Sequence, residues 1–272
     1  MSTTTERPGA SDSSSLPIWF RPEPGARRPR FSREQIAAAA LEIADADGFD
    51  AVSMRRIATK LGAGTMSLYR YISAKSDLVA LMDDALMGES LVPDGELPGD
   101  WREAVALIAR QTRDALLRHP WAVQSLQGRG AGRQDGAFGP NGLKHFEQSL
   151  AAVAGAPLDT RAKLDLLANV DDFVFGHVLR AGEAQERAGQ ADSAYAETVV
   201  AFITEQLRSG QFPHLAALTQ DPAAQSMLDT AALDERFERG LQALLDGAAP
   251  DPGRPDRPDG RDGEGVRGGE SG

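Results

Sequence analysis

Cysteine is absent from this chain of 272 residues. Disulfide frameworks, thiolate zinc sites and cysteine nucleophiles are thereby excluded. No apolar run approaches the ~18 residues that a membrane-spanning helix needs. The opening stretch Met1–Ser15 is rich in Ser and Thr and has no apolar centre, so no secretory signal is visible and a cytoplasmic location is expected. The four histidines (119, 145, 177, 214) have no metal-ligand spacing, and no metal or cofactor is expected. There is no phosphate-binding glycine loop, no nucleophile elbow and no dinucleotide fingerprint. The adjacent Asp171 and Asp172 would point about 100° apart on a helix, a poor acid–base pair. Enzymatic activity is not expected.

Charge is unevenly placed. The net charge is −11, yet residues 21–76 hold ten Arg and Lys against six Asp and Glu. With −1 on residues 1–20, residues 77–272 carry −14. A basic front on an acidic body suits one nucleic-acid-facing end and a remainder that avoids indiscriminate DNA contact. The tail from Gly247 has eight Gly, four Pro and three apolar side chains, too few to offset the entropy of ordering, so residues 247–272 are expected to be disordered. Residues 1–26 are expected to be a disordered arm as well, apart from the apolar island Leu16-Pro17-Ile18-Trp19-Phe20.

Between these ends apolar residues recur at spacings of three and four, and strand alternation is rare, which predicts an all-α protein of about ten helices. Ser32 and Gln35 form a capping-box pair flanked by Phe31 and Ile36 at staple positions, and Gly48 stops that first helix after Asp47. Ser53 caps a second helix that ends at Leu61-Gly62, and a third covers Thr65 to about Tyr71. A fourth follows Ser73 towards Gly88. Further helices are predicted from about Asp100 to His119, briefly to Gln127, and over 141–154, 159–184, 192–209 and 226–246, with a Gly-rich loop at 128–142.

Two short helices joined by Gly62-Ala63-Gly64, after a longer one, have the proportions of a helix-turn-helix. Ala58 is small where the helices would cross, and Leu68 would plug the core beneath. The second short helix would expose Thr65, Met66, Ser67, Tyr69, Arg70 and Tyr71, groups suited to phosphates, base edges and thymine methyls. Lys75, at the next helix start, suits a phosphate. Arg70 could read guanine or hold a phosphate. Upstream, Arg21, Arg27, Arg28 and Arg30 are either an arm for the minor groove or a solubilising linker.

Residues 31–88, above all Ser53-Met-Arg-Arg-Ile-Ala-Thr-Lys-Leu-Gly-Ala-Gly-Thr-Met-Ser-Leu-Tyr-Arg-Tyr-Ile-Ser-Ala-Lys-Ser-Asp-Leu, resemble the DNA-binding domain of the TetR family of bacterial transcriptional regulators. His119-Pro120-Trp121, Gly139-Pro140-Asn141 and the closing helical pair look like the tetracycline-repressor-like C-terminal domain. The resemblance implies a homodimer on double-stranded operator DNA, controlled by a small-molecule effector. It implies a DNA-binding domain at 27–76 and an effector and dimerisation domain at 77–246. Carried over by position, Ser53, Arg55, Tyr69 and Lys75 match phosphate-gripping places. Thr65, Met66, Ser67, Arg70 and Tyr71 match groove-facing places, and Leu68 matches a core position. The alternative is a helical dimeric adaptor without specific DNA binding.

In the body, Leu164, Leu167, Val174 and Val178 lie along one side of helix 159–184, and Leu166, Val170, Phe173 and His177 along another. Helix 226–246 carries Leu233, Phe237, Leu241 and Leu244, with Gly240 allowing close approach. These stripes serve either an intersubunit four-helix bundle or the subunit's own core. Candidate effector contacts are Trp121, Phe138, His145, Phe146, Phe173 and His177, with Asp171 or Asp172 as polar hooks. The tetracycline repressor holds a magnesium–drug chelate through histidines. The matching places here, near Leu91 and Ser125, cannot replace them, so an apolar or aromatic effector is expected.

Overall fold

Ser32 starts the first helix as its sequence requires. Its hydroxyl accepts the Gln35 N–H at 3.3 Å, and the Gln35 side chain accepts the Ser32 N–H at 3.0 Å. Phe31 and Ile36 are buried at the entry. This computed structural model describes residues 17–23, 31–122, 138–189, 193–221 and 232–249. Among them there is no strand. The helices are α1 (Arg33–Asp47), α2 (Met54–Lys60), α3 (Thr65–Leu68), α4 (Lys75–Glu89), α5 (Trp101–Arg118), α6 (Pro140–Ala152), α7 (Thr160–Gly189), α8 (Ser193–Arg208), α9 (Pro213–Leu218) and α10 (Leu233–Ala248).

α1 to α3 form a small bundle around Ile36, Ala40, Ile57, Ala58, Leu68 and Ile72, all 2% exposed or less. Gly62 makes the α2–α3 turn with φ +62°, a conformation a side chain would strain. α4 packs on α1 and also on α5 and α6, so it joins the bundle to the body. α5 contacts α7, and α7 contacts α10. There Gly240 lets α10 approach so closely that a β-carbon would come 2.6 Å from the Phe173 ring.

Several expectations are corrected. α3 is shorter than expected and ends at Leu68, and the chain leaves it through a turn in which the Tyr71 and Ile72 N–H groups donate to the Leu68 carbonyl, at 2.8 and 3.0 Å. The segment 17–23 is not a free arm. Residues Ile18–Phe20 make a 3₁₀ turn, and Ile18 is 1% exposed in the main core. At the other end α10 continues through Gly247 to Ala248, and its buried row is Phe237, Leu241 and Leu245, with Leu244 only partly covered. α9 has no counterpart among the predicted helices, although Pro213 at its first position is a start signal. The rest of the tail, the segment 123–137 and residues 226–231 lie outside the described residues.

Candidate functional site

Two sites emerge, at opposite ends of α4. The first is the α2–turn–α3 unit. Ser53 caps α2, its hydroxyl accepting the Arg56 N–H at 3.3 Å. The burial of Leu68, 0% exposed, then fixes which way the short α3 faces. Met66 is 79% exposed and Tyr69 51% exposed. Ser53, Arg55, Arg70 and Lys75 are exposed, and Thr65 and Ser67 are half-buried. Among the described residues Arg55, Arg70 and Lys75 have no carboxylate partner, whereas Arg56 pairs with Asp47 and Lys60 with Glu42. Cations held off the protein's own carboxylates remain available to an external anion. The Lys75 ammonium lies 5.6 Å above the Phe49 ring.

Tyr71 departs from its expected exposure. It is 7% exposed and packs on Phe31 with ring centroids 5.7 Å apart. Tyr71 stands three residues after the buried Leu68, a spacing that returns it to the same inward side, away from Met66 and Arg70. Arg21 also departs from the arm, because its guanidinium pairs with Asp77 and donates to the Ser73 hydroxyl at 2.7 Å. Arg27, Arg28 and Arg30 lie outside the described residues.

The second site is a cavity of about 170 Å³ between α4, α5, α6 and α7. Phe138 and Phe146 stack nearly parallel on its wall, with centroids 6.3 Å apart and planes 11° apart. His145 Nε2 lies 3.1 Å from the Thr112 hydroxyl, and Ser149 donates to the His145 carbonyl at 2.9 Å. Thr112, Ser149 and Phe175 line the same space, as does Asp171. Thr112 and Ser149 carry no periodic signal in the sequence, since small hydroxyl residues on a helix read equally well as packing.

Three of the six aromatic candidates therefore meet at this cavity, and three do not. Trp121 is 5% exposed and belongs to the junction with the DNA-binding end. Its indole stacks on Phe49 at 5.7 Å and donates to Asp45 of α1 at 2.7 Å. Phe173 and His177 pack on Phe237 of α10, at 5.3 and 4.9 Å between ring centroids. Burial, and then the nearby Arg113 and Arg180 cations, hold the His177 imidazole below its ordinary pKa. Among the described residues no group of three or more His, Asp or Glu converges as a metal site. No described helix is long and apolar enough to cross a membrane.

Comparison with known proteins covers both parts of the chain. Residues 36–82 match bacterial regulatory proteins of the tetR family, and residues 93–250 match the tetracyclin repressor-like C-terminal domain. The HTH-type transcriptional repressor DrrR1 of Streptomyces coeruleorubidus is 33% identical over 84% of this chain and 80% of its own length. The class A tetracycline repressor from transposon 1721 of Escherichia coli is 27% identical over 79% of this chain and 88% of its own. Among solved structures, ActR of Streptomyces coelicolor in complex with actinorhodin is 29% identical, with a TM-score of 0.62 over 80% of this chain and 96% of that one. With its helix-turn-helix and its helical body matched across most of its length, the chain belongs to the TetR family of bacterial transcriptional regulators.

Proposed function

We propose that this regulator is a homodimeric repressor in the bacterial cytoplasm, gripping its operator through Ser53, Arg55, Thr65, Met66, Ser67, Tyr69, Arg70 and Lys75. The observation that carries the reading is the exposed α3 turn, where Met66, Tyr69 and Arg70 project while Leu68 is sealed beneath them. An apolar thioether, a phenol and a guanidinium on one short convex element suit base edges, thymine methyls and phosphates together. Two copies of this element would enter half-sites about 34–36 Å apart. Support for the dimer comes from α8, α9 and the turn between them, whose Tyr195, Val200, Phe202, Phe212 and Leu218 are at least 40% exposed. Apolar surface on that scale in one subunit marks an interface.

The cavity is the effector site in this reading, and the effector is aromatic. Parallel Phe138 and Phe146 rings offer a face for a flat ring system. Thr112, His145 and Asp171 would orient a hydroxyl, carbonyl or amine on it. ActR, solved in complex with actinorhodin, supports control by a small molecule. Binding would shift the dimer population away from the operator spacing. The test is footprinting on the intergenic DNA beside the protein's own gene, repeated with flat aromatic compounds. A protected palindrome released by such a compound is expected, and His145→Ala should weaken that release while leaving the footprint. Absence of any salt-sensitive specific complex would favour an adaptor and overturn the DNA reading.

A further inference from the structure

Asp84, past the middle of α4, is tied to the first turn of α6, whose Gly142 lines the cavity. Its Oδ1 accepts the backbone N–H of Asn141 at 3.0 Å and of Gly142 at 2.9 Å, in the first turn of α6. The Asn141 amide donates back to the Asp84 carbonyl at 3.2 Å. Phe138 and Gly142, on either side of this contact, line the cavity. Gly139 sits in the same corner, and a β-carbon there would collide first with Asp84 Oδ1 and also come 2.6 Å from Trp19 Cζ2. The apolar island before α1 is thus wedged against the wall of the effector site. Ile18, beside Trp19, is 1% exposed.

Seven residues earlier along α4, about 10 Å at its helical rise, the same island is fastened again. The Arg21 and Asp77 side chains are only 10% and 11% exposed and form an ion pair. Asp77 also accepts the N–H groups of Ser73 and Ala74, at 2.7 and 3.1 Å, in the turn that follows the recognition element. The Arg33 guanidinium holds the Arg21 carbonyl at 3.0 Å, tying the island to the start of α1. One short segment therefore has its indole at the effector wall and its guanidinium at the DNA-binding end.

We propose that residues 17–21 are a strap, running antiparallel to α4, that couples the cavity wall at the start of α6 to the recognition turn, with Trp19 and Arg21 as positioning residues. The inference rests on the reading of the two sites above. Asp84 alone is a loose tie, because its side chain can follow a shift of α6 by rotating. A rigid indole packed on the Gly139 backbone cannot yield in that way, so a displaced α6 pushes on Trp19. The single 3₁₀ turn of Ile18–Phe20 passes that movement to Arg21 and the α4 start.

Coupling is reciprocal, so DNA alone can probe it. The experiment measures amide hydrogen exchange of the full chain, free and bound to a duplex that the wild-type protein selects from random sequence. In wild type and Trp19→Phe, DNA should change the exchange rates of the α6 first turn by about fivefold or more. In Trp19→Ala and Arg21→Ala the change should fall below about twofold while the duplex is still bound. A merely structural loss would speed exchange equally in free and bound protein and leave the DNA-induced change intact, which overturns the strap. Should Trp19→Ala fail to fold, Arg21→Ala decides alone, since Asp77 keeps its cap without Arg21. A wild-type protein that binds DNA without any change at α6 also refutes the strap, and one that selects no duplex overturns the DNA reading with it.

Discussion

Arg70 and Tyr71 are neighbours in sequence that face opposite ways, and the division follows from their spacing from Leu68 and Met66. Tyr71 comes three residues after the buried Leu68 and returns to its side, whereas Arg70 comes four after the exposed Met66. Arg70 remains exposed without a carboxylate partner, while Tyr71 is carried inward onto Phe31. If Arg70 reads guanine with its two-pronged guanidinium, Arg70→Ala costs about 1–3 kcal/mol of operator affinity and relaxes preference at one base pair. A uniform loss over all sequences, with a shallower salt slope, would assign it to a phosphate. Comparing affinities across a set of single-base operator variants separates the two. Tyr71→Ala should behave differently, lowering stability by about 3–5 kcal/mol through the lost ring. The protein that remains folded should keep its base preferences. Thermal melts alongside binding isotherms check the contrast.

The contact between the DNA-binding bundle and the body depends on elements far apart in sequence. His119 follows α5 and is 6% exposed, with Nδ1 2.6 Å from Asp45 of α1 and Nε2 3.1 Å from Glu89 at the end of α4. Trp121 donates to the same Asp45 oxygen. Asp45 thus serves two buried rings, and removing its carboxylate strands their donors. Asp45→Ala is expected to destabilise by about 1–3 kcal/mol, well beyond an ordinary surface change. A double-mutant cycle with Trp121→Phe, which keeps the stack on Phe49, should return a coupling above about 0.5 kcal/mol from denaturant melts. Local signals of this kind of fold are readable without a structure, such as the Ser32–Gln35 box, the Ser53 cap and the small Ala58. The junction is not, because Asp45 looks like any polar residue on the outer face of α1 until α5 brings His119 to it. The same limit applies to Trp121. An aromatic residue just past a helix end reads as a cavity wall or as a joint, and only the packing of Phe49 against it decides. Trp19 was noticeable as part of an apolar island, but nothing local says that Gly139 would leave room for its ring.

For the molecule as a whole, the body is an acidic helical assembly whose closing pair, α7 and α10, buries a histidine. His177 packs on Phe237, with Arg113, Arg180 and Arg236 nearby as like charges and Asp234 as the opposing one. Burial and those cations disfavour the imidazolium, so the folded protein binds that proton more weakly than the unfolded chain does. Linkage then fixes the sign. The contribution of neutral His177 is fully present above the unfolded value of about 6.5 and is lost as pH falls below it towards the depressed folded value. Melting temperature should therefore drop on acidification from about pH 7.5 to about pH 5.5, and His177→Gln should flatten that slope. Glu238 does not contribute within this window. Its carboxylate is gripped by Arg110 through bonds of 2.9 and 2.7 Å and is held below the usual carboxylate range, so its contribution disappears only at lower pH. The same ion pair, 43% exposed on each side, is screened enough to be worth about 1 kcal/mol or less. If pH sensitivity between 7.5 and 5.5 persisted undiminished in His177→Gln, the α7–α10 packing would not be its source.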